Sequence, residues 1–317
     1  MNRFIPSDFG EMPHFVTRSG ASLCGLRDIS LSGWRKMFGR ERIEKKNPQQ
    51  IIAMRKAGLV VGRTLEKLAE AVKPGVTTRE LDDFAREYIL SQNAVPSFPL
   101  VPGYRHTLCV SVGCEIVHGI PGDRVLQEGE LVSIDCGAAV DGWHGDSAIS
   151  IIVGGDDAAE PEVKNLLDDT SRSLWSGIAA MVPGNRVGDI GGAVEESLEK
   201  SALHRKIGEY GIVEDYEGHG IGREMHMSPG VPNFRPAKLG PKLTVGTTLA
   251  IEPMVTLGAP DNKVLDDDWT VVTIDGSIAA HVEHTVAITS EGIWVLTALD
   301  GGLEICAATG AQFGPLA

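Results

Sequence analysis

The sequence predicts an α+β fold of two similar halves, with helices outside a strongly curved antiparallel sheet. Two observations predict it. A helix–Pro-Gly–helix pattern occurs at Pro74-Gly75 and again at Pro183-Gly184, about 109 residues later. Each unit precedes short runs rich in β-branched residues, the composition typical of strands. The repeat is too degenerate to prove duplication, but it indicates two halves with a site between them.

Caps and breakers predict the helices. Asn47-Pro48 is an N-cap followed by proline at the first helical position, and an apolar pattern continues to about Val72. Thr77 and Glu80 form a capping box for a second helix, which ends near Leu90. In the second half, helices are expected over about 160–181 and about 189–203.

The run LVSIDCGAAVDGWHGDSAISII predicts two strands joined by a two-residue turn at Asp141-Gly142. That turn places Asp135 opposite Ala148 and Gly137 opposite Asp146. The two acids are then diagonal neighbours on one face, roughly 7–8 Å apart at Cα. Glycines beside the acids permit close backbone approach, which favours a site. An ordinary hairpin with two solvent-facing acids is the alternative at this point.

The second half of the chain supplies further candidate ligands. Glu252 ends the run TTLAIE before Pro253, and Glu283 lies in AAHVEHTVAIT, where alternating β-branched residues predict a strand. A glutamate buried within such a strand is rare without a partner. His219 and His226 lie in EGHGIGREMHMSPGVPN, a glycine-rich loop too irregular for a regular element.

The candidate metal ligands are Asp135, Asp146, His219, Glu252 and Glu283. Four carboxylates cannot share a water-poor pocket without neutralisation, because like charges raise each other's pKa and an unpaired buried carboxylate is costly. Two divalent cations would neutralise them. Oxygen-rich ligation with one histidine suits Fe²⁺, Mn²⁺ or Co²⁺ and tolerates Zn²⁺. The sequence therefore predicts a dinuclear metal hydrolase.

Six motifs together resemble those of the type I methionine aminopeptidases. They are VHGIP (117–121), SIDCG (133–137), DGWHGDSA (141–148), GHGIGREMH (218–226), IEPM (251–254) and VEHTV (282–286). Their order and spacing match over about 47–297, nearly four-fifths of the chain. The resemblance implies a pita-bread fold and removal of the initiator methionine from nascent proteins when the second residue is small.

The resemblance also implies how the metals are held. The counterparts of Asp146 and Glu283 bridge the two ions, that of Asp135 holds one ion, and those of His219 and Glu252 hold the other. A metal-bridging water or hydroxide attacks the scissile carbonyl, its pKa lowered by the cations.

Three residues match catalytic positions of the family. The residue matching Glu252 takes and relays a proton. His226 matches the histidine that hydrogen-bonds the carbonyl oxygen as it becomes an oxyanion. His118 matches the histidine that contacts the nitrogen of the scissile peptide.

A substrate pocket for the methionine side chain is implied at Phe98, Tyr104, Cys109, Met225 and Trp269, although residue type alone would make all five ordinary core. Aromatic and sulfur-bearing side chains suit a soft thioether. The chain departs from the family at 101–105, where VPGYR replaces the common Tyr-His-Gly-Tyr-Pro. A wider or less polar pocket rim is therefore expected, with consequences for selectivity rather than for metal chemistry.

Composition agrees with a cytoplasmic enzyme. The 317 residues, 42% of them hydrophobic, can bury a sizeable core, and a net charge of −14 argues against general nucleic-acid binding. Five cysteines without a CxxC pair indicate neither a disulfide framework nor a zinc ribbon. No secretory signal and no apolar run near 18 residues is visible. A reduced cytoplasm, a monomer and no membrane are expected.

The predicted catalytic domain spans 47–300. Residues 1–46 carry nine Lys or Arg and five Asp or Glu, and are expected to be an extension outside the catalytic fold. The extension is interpreted as a disordered tail, a ribosome-docking arm, or residues upstream of a true start at Met37. Residues 301–317 are expected to be a loosely packed tail.

Three functions are weighed. The first is a methionine aminopeptidase acting on the N-termini of nascent polypeptides. The second is a prolidase or aminopeptidase P-like hydrolase on the same fold, and the third is a binding protein that has lost catalysis. HGIGREMH, IEPM and the Trp269 context favour the first over the second. Five ligands and both histidines count against the third.

Overall fold

The computed structural model describes residues 42–316, with five α-helices in that range. They are α1 (Pro48–Ala71), α2 (Thr78–Ser91), α3 (Pro161–Ala179), α4 (Val187–Arg205) and α5 (Leu303–Thr309). The first four confirm the predicted helices to within a few residues. Asn47 caps α1 by accepting a hydrogen bond from Gln50 N, and Thr77 with Glu80 forms the predicted capping box of α2.

Fifteen short strands of the described chain form four antiparallel sheets. In chain order they are β1 (Val95–Pro96), β2 (Leu108–Val112), β3 (Glu115–Val117), β4 (Leu131–Val140), β5 (Trp143–Ile152), β6 (Gly211–Ile212), β7 (Gly218–Gly220), β8 (Met227–Val231), β9 (Thr248–Ile251), β10 (Met254–Thr256), β11 (Asn262–Val264), β12 (Val271–Thr273), β13 (Ala279–His281), β14 (His284–Ile288) and β15 (Ile293–Val295).

The two largest sheets lie one in each half of the domain, and β3 of the first half pairs with β12 of the second. In the first half, β4 pairs with β5 along one edge and with β1 and β2 along the other. The largest sheet of the second half has the order β15-β14-β9-β7-β8. Smaller sheets, β13-β10-β6 and β11-β12-β3, complete the arrangement.

The β4–β5 hairpin forms in the predicted register. Asp135 pairs with Ala148 and Gly137 with Asp146. Asp141 and Gly142 adopt positive φ angles of 51° and 71°. Both central residues of a type I′ turn require such angles, which Asp and Gly tolerate best.

Each half has its own apolar core. In the first, α1 and α2 pack against β2 and β4, with Leu68 and Ile134 fully buried between them. In the second, α3 covers β9 and β14, where Ile251 and Val286 are fully buried. Burying one such side chain contributes about 1.5–3 kcal/mol, so the two cores fix the halves that carry the site.

Backbone and hydroxyl bonds join the two halves between β5 and the segment around β14. Glu283 N donates to Ala148 O at 2.9 Å, and Ala148 N donates to Glu283 O at 3.3 Å. Two residues along, Asp146 N donates to the Thr285 hydroxyl at 3.0 Å, and that hydroxyl donates to Asp146 O at 2.8 Å. Two candidate ligands, Asp146 and Glu283, are therefore fixed side by side.

The prediction of a loosely packed C-terminal tail is wrong. Residues 303–309 form α5, and Gly314 N donates to Ile293 O at 2.9 Å. Phe313 packs against the apolar core of the second half. The glycines that suggested looseness permit this contact, because a Cβ on Gly314 would lie 2.2 Å from Gly292 N.

The predicted extension lies outside the described residues except for 42–46. Lys46 N donates to Gly246 O at 2.8 Å, and Ile43 packs on the second core. Within 42–316, no helix combines the length and apolarity required to cross a membrane.

Candidate active site

One cavity of about 70 Å³ brings together every site residue expected from the sequence. It is lined by Phe98, Val101, Tyr104, Cys109, His118, Asp135, Asp146, His219, Met225, His226, Glu252, Trp269 and Glu283. A larger groove, about 610 Å³, is lined by residues of α3 and α4 and contains none of these side chains. The chemistry suggested by the motifs is therefore concentrated in the small cavity.

Asp135 and Asp146 reach the cavity from the β4–β5 hairpin. Gly137, paired with Asp146, makes room for this arrangement, because a Cβ there would lie 3.2 Å from Asp146 Oδ1 and 3.0 Å from the Phe98 ring. Gly145 allows the hairpin to approach α1, since its Cβ would lie 2.7 Å from Gly58 N. The close backbone approach expected from these glycines is confirmed.

Glu283 does not lie within a strand, which corrects the prediction. It occupies a two-residue break between β13, which pairs with β10, and β14, which pairs with β9. Its backbone bonds to Ala148 instead of continuing either ladder. The alternating pattern identified a buried residue, 2% exposed, but could not indicate that the chain changes sheet partners there.

His219 lies in a strand, although its glycine-rich context predicted an irregular loop. In β7, His219 pairs with Gly230 of β8 and Ala250 of β9. Flanking Gly218 and Gly220 allow this, because a Cβ on either would lie 2.4 Å from a carbonyl oxygen of a neighbouring strand. Glycine here serves close strand packing, a use that local sequence does not distinguish from a loop.

The orientation of His219 suits a metal ligand. Its Nδ1 lies 2.9 Å from Gly220 O, so Nδ1 carries the proton and Nε2 presents a lone pair to the cavity. That Nε2 lies 3.6 Å from Glu252 Oε1 and 3.9 Å from Asp146 Oδ2. A lone pair facing two carboxylates is repulsive unless a cation lies between them. Burial lowers the pKa of His219 to about 3, which favours the neutral imidazole.

The buried carboxylate oxygens also indicate that the site requires a cation. Asp135 Oδ1, Asp146 Oδ1 and Glu283 Oε1 are buried without a hydrogen-bond partner among residues 42–316. Burial first, and then the neighbouring carboxylates, raise the pKa of Asp135 and Glu283 well above the usual range. Ligand atoms of Asp146, His219 and Glu283 lie within 4.8 Å of one another. The donor set therefore fits divalent cations, which would neutralise these acids.

Glu252 is held at the end of β9 by its surroundings. The strand ends at Ile251, one residue earlier than expected, and Asn233 Nδ2 donates to Glu252 O at 3.0 Å. Its carboxylate faces two histidines, with Oε1 toward His219 and Oε2 3.5 Å from His281 Nε2. Burial, together with the charge of Glu217, raises the pKa of Glu252 to about 8. Like the neighbouring acids, this carboxyl group is therefore ionised at neutral pH only if a cation compensates its charge.

His118 and His226 flank the ligand cluster. The His226 ring contacts that of His219 at 4.5 Å between centroids. His118 has a left-handed backbone with φ of 59°, uncommon for a residue other than glycine and frequent at functional sites. Burial lowers the pKa of His118 to about 4, helped by His281 and His226, and burial also lowers the pKa of His226.

The expected methionine pocket forms one apolar cluster beside the acids. Its buried members are Phe98, Tyr104, Cys109 and Met225, with Val101, Ile120 and Trp269 packed against them. The Tyr104 ring contacts the Phe98 ring at 6.2 Å and the Trp269 ring at 4.9 Å, both edge to face. Tyr104 donates its hydroxyl proton to Leu108 O at 2.7 Å, so its polar end is satisfied.

Val101, expected at the pocket rim, lines the cavity. Two residues near the site were not expected from the sequence: His281 and Asn233, which contact Glu252. His281 precedes Glu283 by two positions, so period-2 alternation placed it on the same face and could have identified it. No local signal distinguished Asn233.

Comparison with known proteins agrees with this geometry. Residues 52–290 match the model of metallopeptidase family M24. "Methionine aminopeptidase 1" of Mycobacterium tuberculosis is 47% identical over 263 residues, covering 83% of this chain and 97% of that protein. The Bacillus subtilis protein of the same name is 44% identical over 252 residues, 80% of this chain and 98% of its own.

A solved structure agrees as well. The crystal structure of methionine aminopeptidase from Thermotoga maritima has 38% sequence identity to this chain and a TM-score of 0.76. The match covers 81% of this chain and 100% of that chain. The predicted α+β pita-bread architecture is thereby confirmed. The chain belongs to metallopeptidase family M24 and, within it, to the type I methionine aminopeptidases.

Proposed function

We propose that this protein is a metal-dependent aminopeptidase that removes the N-terminal methionine from polypeptides. The observation that carries the proposal is the single cavity in which unpartnered buried carboxylates adjoin an aromatic and sulfur-lined pocket. Sequence similarity along nearly the full length of proteins named for this activity supports it.

The proposed metal ligands are Asp135, Asp146, His219, Glu252 and Glu283, which together would hold two divalent ions. Fe²⁺, Mn²⁺ and Co²⁺ suit this oxygen-rich set best, and Zn²⁺ is tolerated. Bound ions would polarise the scissile carbonyl and lower the pKa of a water molecule, which supplies a nucleophile at neutral pH.

The remaining polar residues would handle protons and developing charge. His226 would donate a hydrogen bond to the carbonyl oxygen as negative charge develops there, the interaction that usually contributes most. His118 would contact the nitrogen of the scissile peptide. Glu252 would accept a proton and pass it on, a role supported by the position of its carboxylate between His219 and His281.

The apolar cluster of Phe98, Tyr104, Cys109, Met225 and Trp269 would receive the methionine side chain. Sulfur–aromatic contacts and the satisfied Tyr104 hydroxyl support a lining selective for an apolar, polarisable group. Val101 replaces a polar aromatic residue common in the family, so this wall is less polar.

The proposed substrates are N-termini of nascent chains in the cytoplasm, with small second residues such as Gly, Ala, Ser, Thr, Pro, Val or Cys. We also propose that the protein acts as a monomer and contacts the ribosome.

A peptide assay with metal added back tests the proposal. Apoprotein should be inactive, and Co²⁺, Mn²⁺ or Fe²⁺ should restore cleavage of Met-Ala-Ser but not of an Ala-Pro peptide. Preferential cleavage of the Ala-Pro peptide would indicate a prolidase or aminopeptidase P-like enzyme. No cleavage of either peptide with any of these metals would contradict a hydrolytic function.

A further inference from the structure

His281 is a buried histidine beside the proposed metal ligands. It ends β13, is 2% exposed, and its Nε2 lies 3.5 Å from Glu252 Oε2. No other partner for this nitrogen occurs among residues 42–316. A buried ring nitrogen without any hydrogen bond is costly, so its placement beside one carboxylate oxygen calls for an explanation.

The backbone of His281 is fixed by both strands of the β4–β5 hairpin, which carries Asp135 and Asp146. Its N donates to Ser133 Oγ at 3.2 Å and to Ser150 Oγ at 3.1 Å, and its O accepts from Ser150 Oγ at 2.8 Å. Its Cα also pairs with that of Met254, two residues after Glu252. The ring is thus presented to Glu252 from a rigid position, with little freedom to turn elsewhere.

The two oxygens of Glu252 have different neighbours. Oε1 faces the lone pair of His219 Nε2 at 3.6 Å, whereas Oε2 faces His281. A neutral imidazole donates from only one of its nitrogens. A proton on His281 Nε2 would satisfy Oε2 and leave Oε1 directed at the ligand cluster, while Asn233 holds the backbone oxygen of the same residue.

We propose that His281 is a positioning residue whose Nε2–H donates to Glu252 Oε2, orienting that carboxylate for metal binding and proton relay. The proposal deepens the function proposed above and rests on the assignment of Glu252 to the metal set. Partners that orient ligating carboxylates typically change metal affinity or activity by about 10–100-fold when removed.

The test compares His281→Leu, which cannot donate, with His281→Gln, whose amide can. Full-length proteins are stripped of metal and titrated calorimetrically with Mn²⁺ alone, and the reloaded enzymes are assayed on Met-Ala-Ser. His281→Leu should lose about 10–100-fold in Mn²⁺ affinity and lose kcat with KM nearly unchanged. His281→Gln should recover most of both quantities, and His204→Leu, on the exposed face of α4, should match wild type.

Equal Mn²⁺ affinity in wild type and His281→Leu would overturn the proposal, as would equal impairment of the Leu and Gln variants.

A measurement on the wild-type protein tests the proposal even if the His281→Leu variant fails to fold. ¹⁵N-histidine NMR of the metal-free and Zn²⁺-loaded enzyme should find the proton of His281 on Nε2, and finding it on Nδ1 would refute the donor role. If the wild-type enzyme did not cleave Met-Ala-Ser, the proposed function would be contradicted but the role of His281 would not. Neither the Mn²⁺ titration nor the NMR spectrum depends on that substrate.

Discussion

At the residue scale, His219 and His226 illustrate how neighbouring side chains receive different roles. Their rings are in contact, and His219 Nε2 lies 3.6 Å from Glu252 Oε1 and 3.9 Å from Asp146 Oδ2. His219 has its Nδ1 proton directed to a carbonyl, which leaves Nε2 for a metal. We therefore assign metal binding to His219 and oxyanion stabilisation to His226.

His226→Ala should lower kcat about 10²–10³-fold, the range for loss of one oxyanion-stabilising donor. Metal content should remain near normal, because His226 is not in the proposed ligand set. Steady-state kinetics combined with atomic analysis measures both, and exposed His204→Ala is the matched control. Metal lost in proportion to activity would show that His226 has been given the wrong role.

Asp146→Ala should abolish turnover and two-metal stoichiometry together. Asp146 is 3% exposed, and its Oδ1 lacks a hydrogen-bond partner among the described residues, as expected for an oxygen that would bind a cation. The measurement is metal stoichiometry alongside peptide cleavage, with exposed Asp157→Ala as control. Activity near the wild-type level in metal-replete Asp146→Ala protein would refute the dinuclear proposal.

At the element scale, the packing of α4 sets the position of a neighbouring segment that contacts Glu252. Gly191 faces the segment 232–234, where a Cβ would lie 2.2 Å from Phe234 O and 2.4 Å from Pro232 O. That segment carries Asn233, which bonds Glu252 O. Adjacent Gly192 has only ordinary contacts, the nearest being Arg235 Nε at 3.4 Å. Gly191 and Gly192 therefore provide a test position and a control position within one helix.

Gly191→Ala should destabilise the protein by about 1–3 kcal/mol, the usual cost of overpacking, and should reduce activity by displacing Asn233. Gly192→Ala should be neutral or stabilising by up to about 1 kcal/mol, because alanine favours the helix. Urea unfolding and Met-Ala-Ser cleavage test both variants. Equal stability of the two variants would contradict the close contact at Gly191.

A buried ion pair joins α3 to the end of α4. Asp169, whose side chain is 0% exposed, accepts from Arg205 Nε at 2.6 Å and from the Tyr210 hydroxyl at 2.8 Å. Burial raises the pKa of Asp169, but the bonds from Arg205 and Tyr210 outweigh it, and the net pKa is lowered. The ionised carboxylate is therefore the form that stabilises the folded state.

Asp169→Asn should destabilise the protein at pH 7 by about 1.5–3 kcal/mol, the range for hydrogen bonds to charged groups. Because the folded pKa lies below the unfolded value of about 3.9, the stabilisation is fully present above that pH. It is lost as pH falls through the folded pKa. Urea unfolding of both proteins from pH 7 to about 3 should show the difference shrinking at acid pH, and a constant difference would exclude this linkage.

At the scale of the whole molecule, the cavity exists because two halves meet. Asp135 and Asp146 come from the first half, and His219, Glu252 and Glu283 come from the second. The bonds between β5 and the segment around β14 fix Asp146 of the first half beside Glu283 of the second. A peptide end must enter a space whose walls are fixed by both cores.

This enclosure predicts selectivity at the second residue. Met-X-Ser peptides should be cleaved when X is small, because a bulky X would displace His118 or His226, and a misplacement of about 1 Å can cost about 10²-fold in rate. The less polar wall at Val101 should relax selection for methionine itself, so leucine or norleucine should be accepted. The measurement is kcat/KM across Met-X-Ser and X-Ala-Ser series. Equal rates for Met-Ala-Ser and Met-Lys-Ser would refute this selectivity.

Sequence patterns determined the helices, the β4–β5 register and the five candidate metal ligands. Caps, breakers and an Asp-Gly turn act over a few residues, so their effects can be read locally. The remaining cavity residues were expected only because six motifs in order resemble a known family, since residue type alone would make the apolar ones ordinary core.

Tertiary structure alone decided the strand at His219, the break at Glu283, the packed C-terminus and the position of His281 beside Glu252. Each depends on a partner far away in the chain: Ala250 for His219, Ala148 for Glu283, Ile293 for Gly314 and Glu252 for His281. Local sequence patterns indicate whether a residue prefers burial and which backbone angles it tolerates. They do not indicate which distant strand supplies its hydrogen bonds, and that pairing determines the direction in which these side chains point.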